Sequence, residues 1–145
     1  MKICCISDTH ERQDELAIPS CDLLLHAGDI TMRGSPAALK RFNRWCERLI
    51  EQQITRKIIL IAGNHDFLFE RDLDQARSIV SSSSTYLQDS GTEWEGIRLW
   101  GTPWQPWIFD WAFNLRTEEE LRAKFDLIPA ETEILIVHGP PRGIL

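Results

Sequence analysis

The hydrophobic pattern of this chain is a series of short apolar runs, each ending in small or polar residues. The clearest is Lys57-Ile58-Ile59-Leu60-Ile61-Ala62, β-branched and without helical period, which predicts a buried strand over 57–62. Residues 2–6 and 22–26 repeat the pattern and predict two more strands. Residues 97–100 alternate like a strand, and Glu133 to Val137 form a last apolar run. Between the second and third runs, Leu39, Phe42, Trp45/Cys46 and Leu49/Ile50 recur at helical spacing behind Ser35-Pro36. This predicts an amphipathic helix over 36–53, with a serine N-cap and proline in the first turn.

The remaining segments carry weaker signals. Residues 11–21 read as a loop or short helix, 72–80 as a short helix, and Ser81 to Ser84 as a turn. Residues 101–113 read as an aromatic loop. Thr117 and Glu120 form a capping box that opens a helix running through Phe125. No internal repeat or domain boundary is visible. Strands alternating with helices predict α/β layers in one domain over residues 1–145.

Composition narrows the function classes. The chain has 145 residues, of which 43% are hydrophobic and 26% charged, with a net charge of −6. Without a basic run, binding to a nucleic-acid polymer is not expected. No apolar run approaches the ~20 residues of a membrane span, so no membrane partner is expected. A strand starting at Lys2 leaves no room for a signal peptide. The cysteines, Cys4, Cys5, Cys21 and Cys46, form no C-x-x-C pair. These features together predict a cytoplasmic protein.

Chemistry collects where the strands stop. Gly63 breaks the third run and is followed by Asn64, His65 and Asp66. The first run leads to Asp8 and His10, the second to Gly28-Asp29, and the last to His138. Three of the 4 histidines belong to this set. In open α/β sheets, ligands bind beyond the carboxyl ends of strands. Carboxylate, imidazole and amide oxygen suit a divalent ion of intermediate hardness such as Mn, Fe or Zn. No cysteine joins them, which argues against a structural zinc. One carboxylate can bridge two ions, and Asp29, alone after its strand, is the natural candidate. Two ions about 3.5–4 Å apart can clamp the attacking and leaving oxygens of a phosphoryl displacement.

The ordered set Asp8-x-His10, Gly28-Asp29, Gly63-Asn64-His65-Asp66 and Val137-His138-Gly139 resembles the calcineurin-like metallophosphoesterases. Leu25-His26-Ala27-Gly28-Asp29, Gly101-Thr102-Pro103-Trp104-Gln105-Pro106-Trp107 and His138-Gly139-Pro140-Pro141 are similar to a branch of small metallophosphoesterase-domain proteins related to class III cyclic-nucleotide phosphodiesterases. The resemblance implies a four-layer αββα sandwich. It implies that Asp8 and His10 hold one metal, that Asn64 and His138 hold a second, and that Asp29 bridges them. His65 would face the scissile phosphate as general acid, oriented by Asp66. The implied reaction is two-metal hydrolysis of a small phosphodiester or nucleotide, with cyclic nucleotides as candidates.

One motif of that family, a later Gly-His-x-His, has no counterpart here. The expectation is therefore a sandwich incomplete at its C-terminal end. Self-association, or a complementing C-terminal segment, would then supply the missing side. The alternative function is a nucleotide-binding protein or fragment with an incomplete metal site and little turnover.

Other residues carry plainer expectations. His26, inside an apolar run, is read as a core histidine or as a partner of a ligand. The aromatic loop is read mainly as a lid over the sheet or as a contact for the missing C-terminal part. Trp104 and Trp107, flanked by prolines, are its candidates for stacking on a substrate. Arg33 and Arg142, close to ligand loops, are candidate phosphate contacts.

Overall fold

The computed structural model describes residues 1–80 and 83–139. Ser81, Ser82, Pro140, Pro141 and Arg142 lie outside the described residues, and with them part of the expected serine turn and one candidate phosphate contact.

The chain opens with β1 (Ile3–Ile6), a short 3-10 helix (Gln13–Glu15) and β2 (Leu23–Ala27). Helix α1 (Pro36–Glu51) begins where the sequence predicts. The Ser35 hydroxyl accepts a hydrogen bond from the Ala38 backbone N–H at 3.3 Å, and Pro36 occupies the first turn. Strand β3 (Lys57–Ile61), the short helix α2 (Phe67–Arg71), α3 (Leu73–Ile79) and β4 (Ser84–Tyr86) follow. Strands β1 to β4 form one parallel sheet in sequence order, with Cys5, Leu25, Ile59 and Thr85 in register across it. Such a sheet needs cover on both faces, which is why Leu23, Leu24 and Leu25 are all buried although adjacent residues face opposite sides.

One cover is helical. Leu39, Phe42, Trp45, Cys46 and Leu49 of α1 pack with Leu24, Ile58 and Leu60 of the sheet. The other cover is a second sheet. Strands β5 (Ser90–Trp94) and β6 (Ile97–Thr102) form a hairpin. Next come β7 (Gln105–Pro106), β8 (Asn114–Leu115) and α4 (Glu118–Phe125), which carries the predicted capping box. Strand β9 (Ile134–Val137) then pairs in parallel with β6. Leu99 and Ile136 meet Leu23, Leu25, Ile59 and Ile61 between the two sheets.

The expected α/β layers are therefore present as helices, parallel sheet and second sheet. On the outer side of the second sheet Leu135 is 45% exposed. The sequence reading did not foresee α2, β4, β5, β7 or β8. The aromatic stretch 101–113 is more ordered than a loop, because β7 and β8 pair through Gln105↔Asn114 and Pro106↔Leu115.

Candidate metal centre

The ends of β1 and β2 do not splay apart. Backbone bonds carry their pairing beyond the strands, from Asp8 N–H to Gly28 O (2.9 Å), His10 N–H to Asp29 O (3.0 Å) and Glu11 N–H to Ile30 O (3.0 Å). This ladder holds Asp8 and His10 beside Asp29. The backbone bends sharply there: Asp8, His10, Glu11 and Asp29 all have positive φ, between 42° and 66°. For residues other than glycine that conformation is uncommon and is concentrated at functional sites.

Two glycines make the close approach possible. Gly28 has φ +98°, and a Cβ there would lie 2.7 Å from Gly63 N. A Cβ on Gly63 would collide with the Asp29 carboxylate and sit 2.8 Å from His138 Cε1. Bare backbone at these positions lets the ligand loops of β2 and β3 touch.

His26 ties the loops from below. It is fully buried, accepts from Gly28 N–H at Nδ1 (3.2 Å), and bonds the Thr9 hydroxyl through Nε2 (3.0 Å). A nitrogen that accepts carries no proton, so the ring is the Nε2–H tautomer. Burial lowers its pKa to about 3. It supports the loops that carry Asp8, His10 and Asp29 through Thr9 and Gly28, which agrees with the first of the two expectations, a core histidine.

Asp29 lies at the centre, 4% exposed. Its Oδ2 is 3.5 Å from His10 Nε2 and 3.9 Å from His65 Nε2, and its Oδ1 is 3.4 Å from His138 Nε2. Asp8 Oδ1 is 4.0 Å from His10 Nε2. Among the described residues, two groups have ligand atoms mutually within 4.8 Å: His10, Asp29 and His65, and Asp8, Asp29 and His138. Asp29 is common to both. His138 reaches the site from β9, in the second sheet, and its Nε2 is 2.9 Å from Asn64 Oδ1. The structure thus brings together Asp8, His10, Asp29, Asn64, His65 and His138.

These side chains fit a cation. His138 donates its Nδ1 proton to Ala27 O (2.8 Å), so in the neutral ring Nε2 presents a lone pair. That lone pair faces two further acceptors, Asn64 Oδ1 and Asp29 Oδ1. Converging lone pairs repel one another unless a positive charge lies among them. On the other side, His10 Nδ1 is buried without a hydrogen-bond partner. The other ring nitrogen, Nε2, faces the carboxylates of Asp29 (3.5 Å) and Asp8 (4.0 Å).

Asp66 corrects one expectation. It does not hydrogen-bond the His65 ring. It is completely buried and accepts from Ile30 N–H (3.0 Å), Thr31 N–H (2.8 Å), the Thr31 hydroxyl (2.8 Å) and Gly63 N–H (2.9 Å). Burial pushes its carboxyl above the usual range, and these four donors pull the other way. It cross-links the β2 and β3 loops. The His65 ring is held instead by Met32, whose carbonyl accepts from Nδ1 at 2.9 Å. A backbone acceptor of this kind leaves no mark in a sequence.

The expected substrate residues separate. Trp104 is a structural residue: its Nε1–H donates to Asp89 (2.8 Å) and its ring meets Phe113 edge-on at 5.3 Å. Trp107 is 48% exposed and packs under the Arg116 guanidinium at 5.3 Å. Arg33 lies 5.8 Å from the Trp111 ring, in a cleft of about 450 Å³ lined also by Phe67, Phe109 and Asp110. Trp111 is one of the aromatics of the expected lid. Its ring lies 4.1 Å from that of His65.

Comparison with known proteins agrees with this geometry. The calcineurin-like phosphoesterase family model matches residues 1–144. Metallophosphoesterase domain-containing protein 1 of Homo sapiens is 37% identical across 97% of this chain and 49% of its own length. A UPF0046 protein of Caenorhabditis elegans is 31% identical across 100% of the chain and 53% of its own length. A solved crystal structure superposes with a TM-score of 0.61 at 18% identity, covering 98% of this chain and 70% of that one. The chain spans about half the length of the curated relatives it matches. It belongs to the calcineurin-like phosphoesterase family.

Proposed function

From membership of that family and from the ligand geometry, we propose that this protein hydrolyses a small phosphodiester with two divalent ions, Mn, Fe or Zn. Cyclic nucleotides are the candidate substrates, and the reducing cytoplasm is the proposed location, in keeping with four free cysteines. The observation that carries the reading is Asp29, whose two oxygens face two different groups of ligands. Asp8 and His10, 4.0 Å apart, would hold one ion, Asn64 and His138 the other, and Asp29 both; Asp8 also lies within ligand range of His138. Bound divalent ions supply Lewis acidity and neutralise charge on the phosphoryl oxygens.

The chain itself orients and protonates. Ala27 O fixes the His138 ring so that Nε2 faces the site. Asp66 holds the β2 and β3 loops at a fixed separation. His65 delivers a proton from Nε2 to the departing alkoxide. Because Nδ1–H already donates to Met32 O, the ring donates from Nε2 as imidazolium and is left neutral. Arg33, at the rim, attracts the anionic ester.

One observation favours a second reading of His65. Its Nε2 groups with His10 and Asp29 within 4.8 Å, so it could be a ligand. Replacement separates the two roles. His65→Ala should leave metal content unchanged and lower kcat by about 10²–10⁴-fold, less for a p-nitrophenyl ester that departs without a proton. His138→Ala should lose metal, and excess Mn should partly restore activity. If His65→Ala strips metal, His65 is a ligand and not the acid.

A further inference from the structure

The Asp66 carboxylate is spent on three backbone N–H groups and the Thr31 hydroxyl, so something else must fix the plane of the His65 ring. The Met32 carbonyl restrains one ring atom, Nδ1, and a single hydrogen bond still allows the ring to tilt about it. Two aromatic rings close off that motion. His10 meets His65 edge-on, with centroids 4.7 Å apart and an interplanar angle of 80°. Trp111 lies against its face, with centroids 4.1 Å apart and an angle of 34°.

Trp111 is itself well held. The Ala112 N–H donates to Asn64 O at 3.0 Å, joining the aromatic segment to the residue just before His65. The Phe113 N–H donates to Glu70 on α2 at 2.6 Å. Ala112 and Phe113 are fully buried. The Trp111 ring, partly buried, has Phe67 at 6.1 Å and the Arg33 guanidinium at 5.8 Å. The segment from β7 to β8 therefore works as a strap. Its buried end anchors on the β3 loop and α2, and its indole is delivered to one histidine.

We infer that Trp111 is the positioning residue for His65, holding the imidazole plane so that Nε2 stays aimed at the ester oxygen. This rests on the reading of His65 as the proton donor. Proton transfer is sensitive to alignment, and a misplacement near 1 Å can cost about 10²-fold. A substrate-stacking role would affect binding instead.

The test compares Trp111→Leu, which keeps an apolar side chain, with Trp111→Phe, which keeps a ring. Both are measured with phenyl and p-nitrophenyl phosphodiesters in the Mn-loaded protein. Trp111→Leu should lower kcat for the phenyl ester about tenfold or more, with KM within about twofold. The loss should be smaller for the p-nitrophenyl ester, and Trp111→Phe should recover most of the rate. In the metal-free protein, the His65 ring protons should show an upfield ring-current shift in NMR spectra. Trp111→Leu should abolish that shift and Trp111→Phe should keep it. Mn uptake by calorimetry should be the same in all three proteins.

Unchanged kcat in Trp111→Leu overturns the inference while leaving the proposed function intact. So does a raised KM at constant kcat, which would make Trp111 a substrate contact. Loss of Mn uptake in Trp111→Leu would make it a structural support of the centre and overturns it too. A wild-type protein that binds Mn and hydrolyses neither ester contradicts the proposed function and the inference with it.

Discussion

At the scale of single residues, the side chains that meet at the centre are legible in the sequence and their supports are not. Asp8, His10, Asp29, Asn64, His65 and His138 stand out because each follows an apolar run and offers a metal-binding atom. Asp66 looked like an orienting carboxylate because it follows His65 directly. The helical turn beginning at Phe67 instead aims it inward, at the backbone of residues 30, 31 and 63. His26 was placed correctly, since a histidine inside Leu-Leu-Leu-His-Ala has little choice but burial.

That burial has a consequence for pH. His26 has a folded pKa of about 3, pushed down chiefly by desolvation, against an ordinary value of 6.5. Between those values the unfolded chain takes up a proton that the folded chain refuses. Stability from this residue is fully present above pH 6.5 and falls as pH drops toward 3. The slope is at most about 1.4 kcal/mol per pH unit. In metal-free protein, His26→Gln should flatten the pH dependence of unfolding free energy over this interval by up to that amount. Equal slopes for the two proteins, in urea titrations on the acid side of neutrality, would show that His26 is not held neutral.

At the scale of elements, strong periodicity was read well. Helix α1 carries both a serine cap and a run of apolar positions at helical spacing, and β2 and β3 are nearly pure apolar runs. Short or polar elements were missed for a physical reason. Helix α2 has five residues, too few to show a period. Strand β5 reads Ser-Gly-Thr-Glu-Trp, and it holds because it pairs with β6 and not because of its own pattern. The aromatic segment reads as a lid or as a C-terminal contact, and its role as a strap depends on backbone bonds at residues 112 and 113.

The strap makes a stability prediction. Phe113 is fully buried and touches Trp104 edge-on. Phe113→Ala should destabilise the protein by about 3–5 kcal/mol, the usual cost of removing a buried aromatic ring. Denaturant unfolding monitored by tryptophan fluorescence measures it. A loss below about 1 kcal/mol would mean that the strap is not anchored in the core.

At the scale of the whole molecule, the centre exists because two sheets pack face to face. Asp8, His10, Asp29, Asn64 and His65 come from the parallel sheet, and His138 from the second. The sheets approach closely at Gly101, where a Cβ would lie 2.5 Å from Leu87 Cβ and 2.7 Å from Ile61 Cγ2. Sequence reading saw strands ending in the same chemistry, but not that the last belonged to another sheet, because an apolar run does not say which neighbour it pairs with. What joins the two sides chemically is one carboxylate. In the proposed two-ion centre, removing its charge would leave two dications with poorly screened repulsion in a cleft of low dielectric.

Calorimetric titration of Mn into the wild-type protein and Asp29→Asn is therefore the most direct test. The wild type should bind two ions, and Asp29→Asn, which keeps the shape but loses the charge, should weaken both. If Asp29→Asn holds two ions at wild-type affinity, or loses one and leaves the other untouched, Asp29 does not join the two ligand groups and the dinuclear account is wrong.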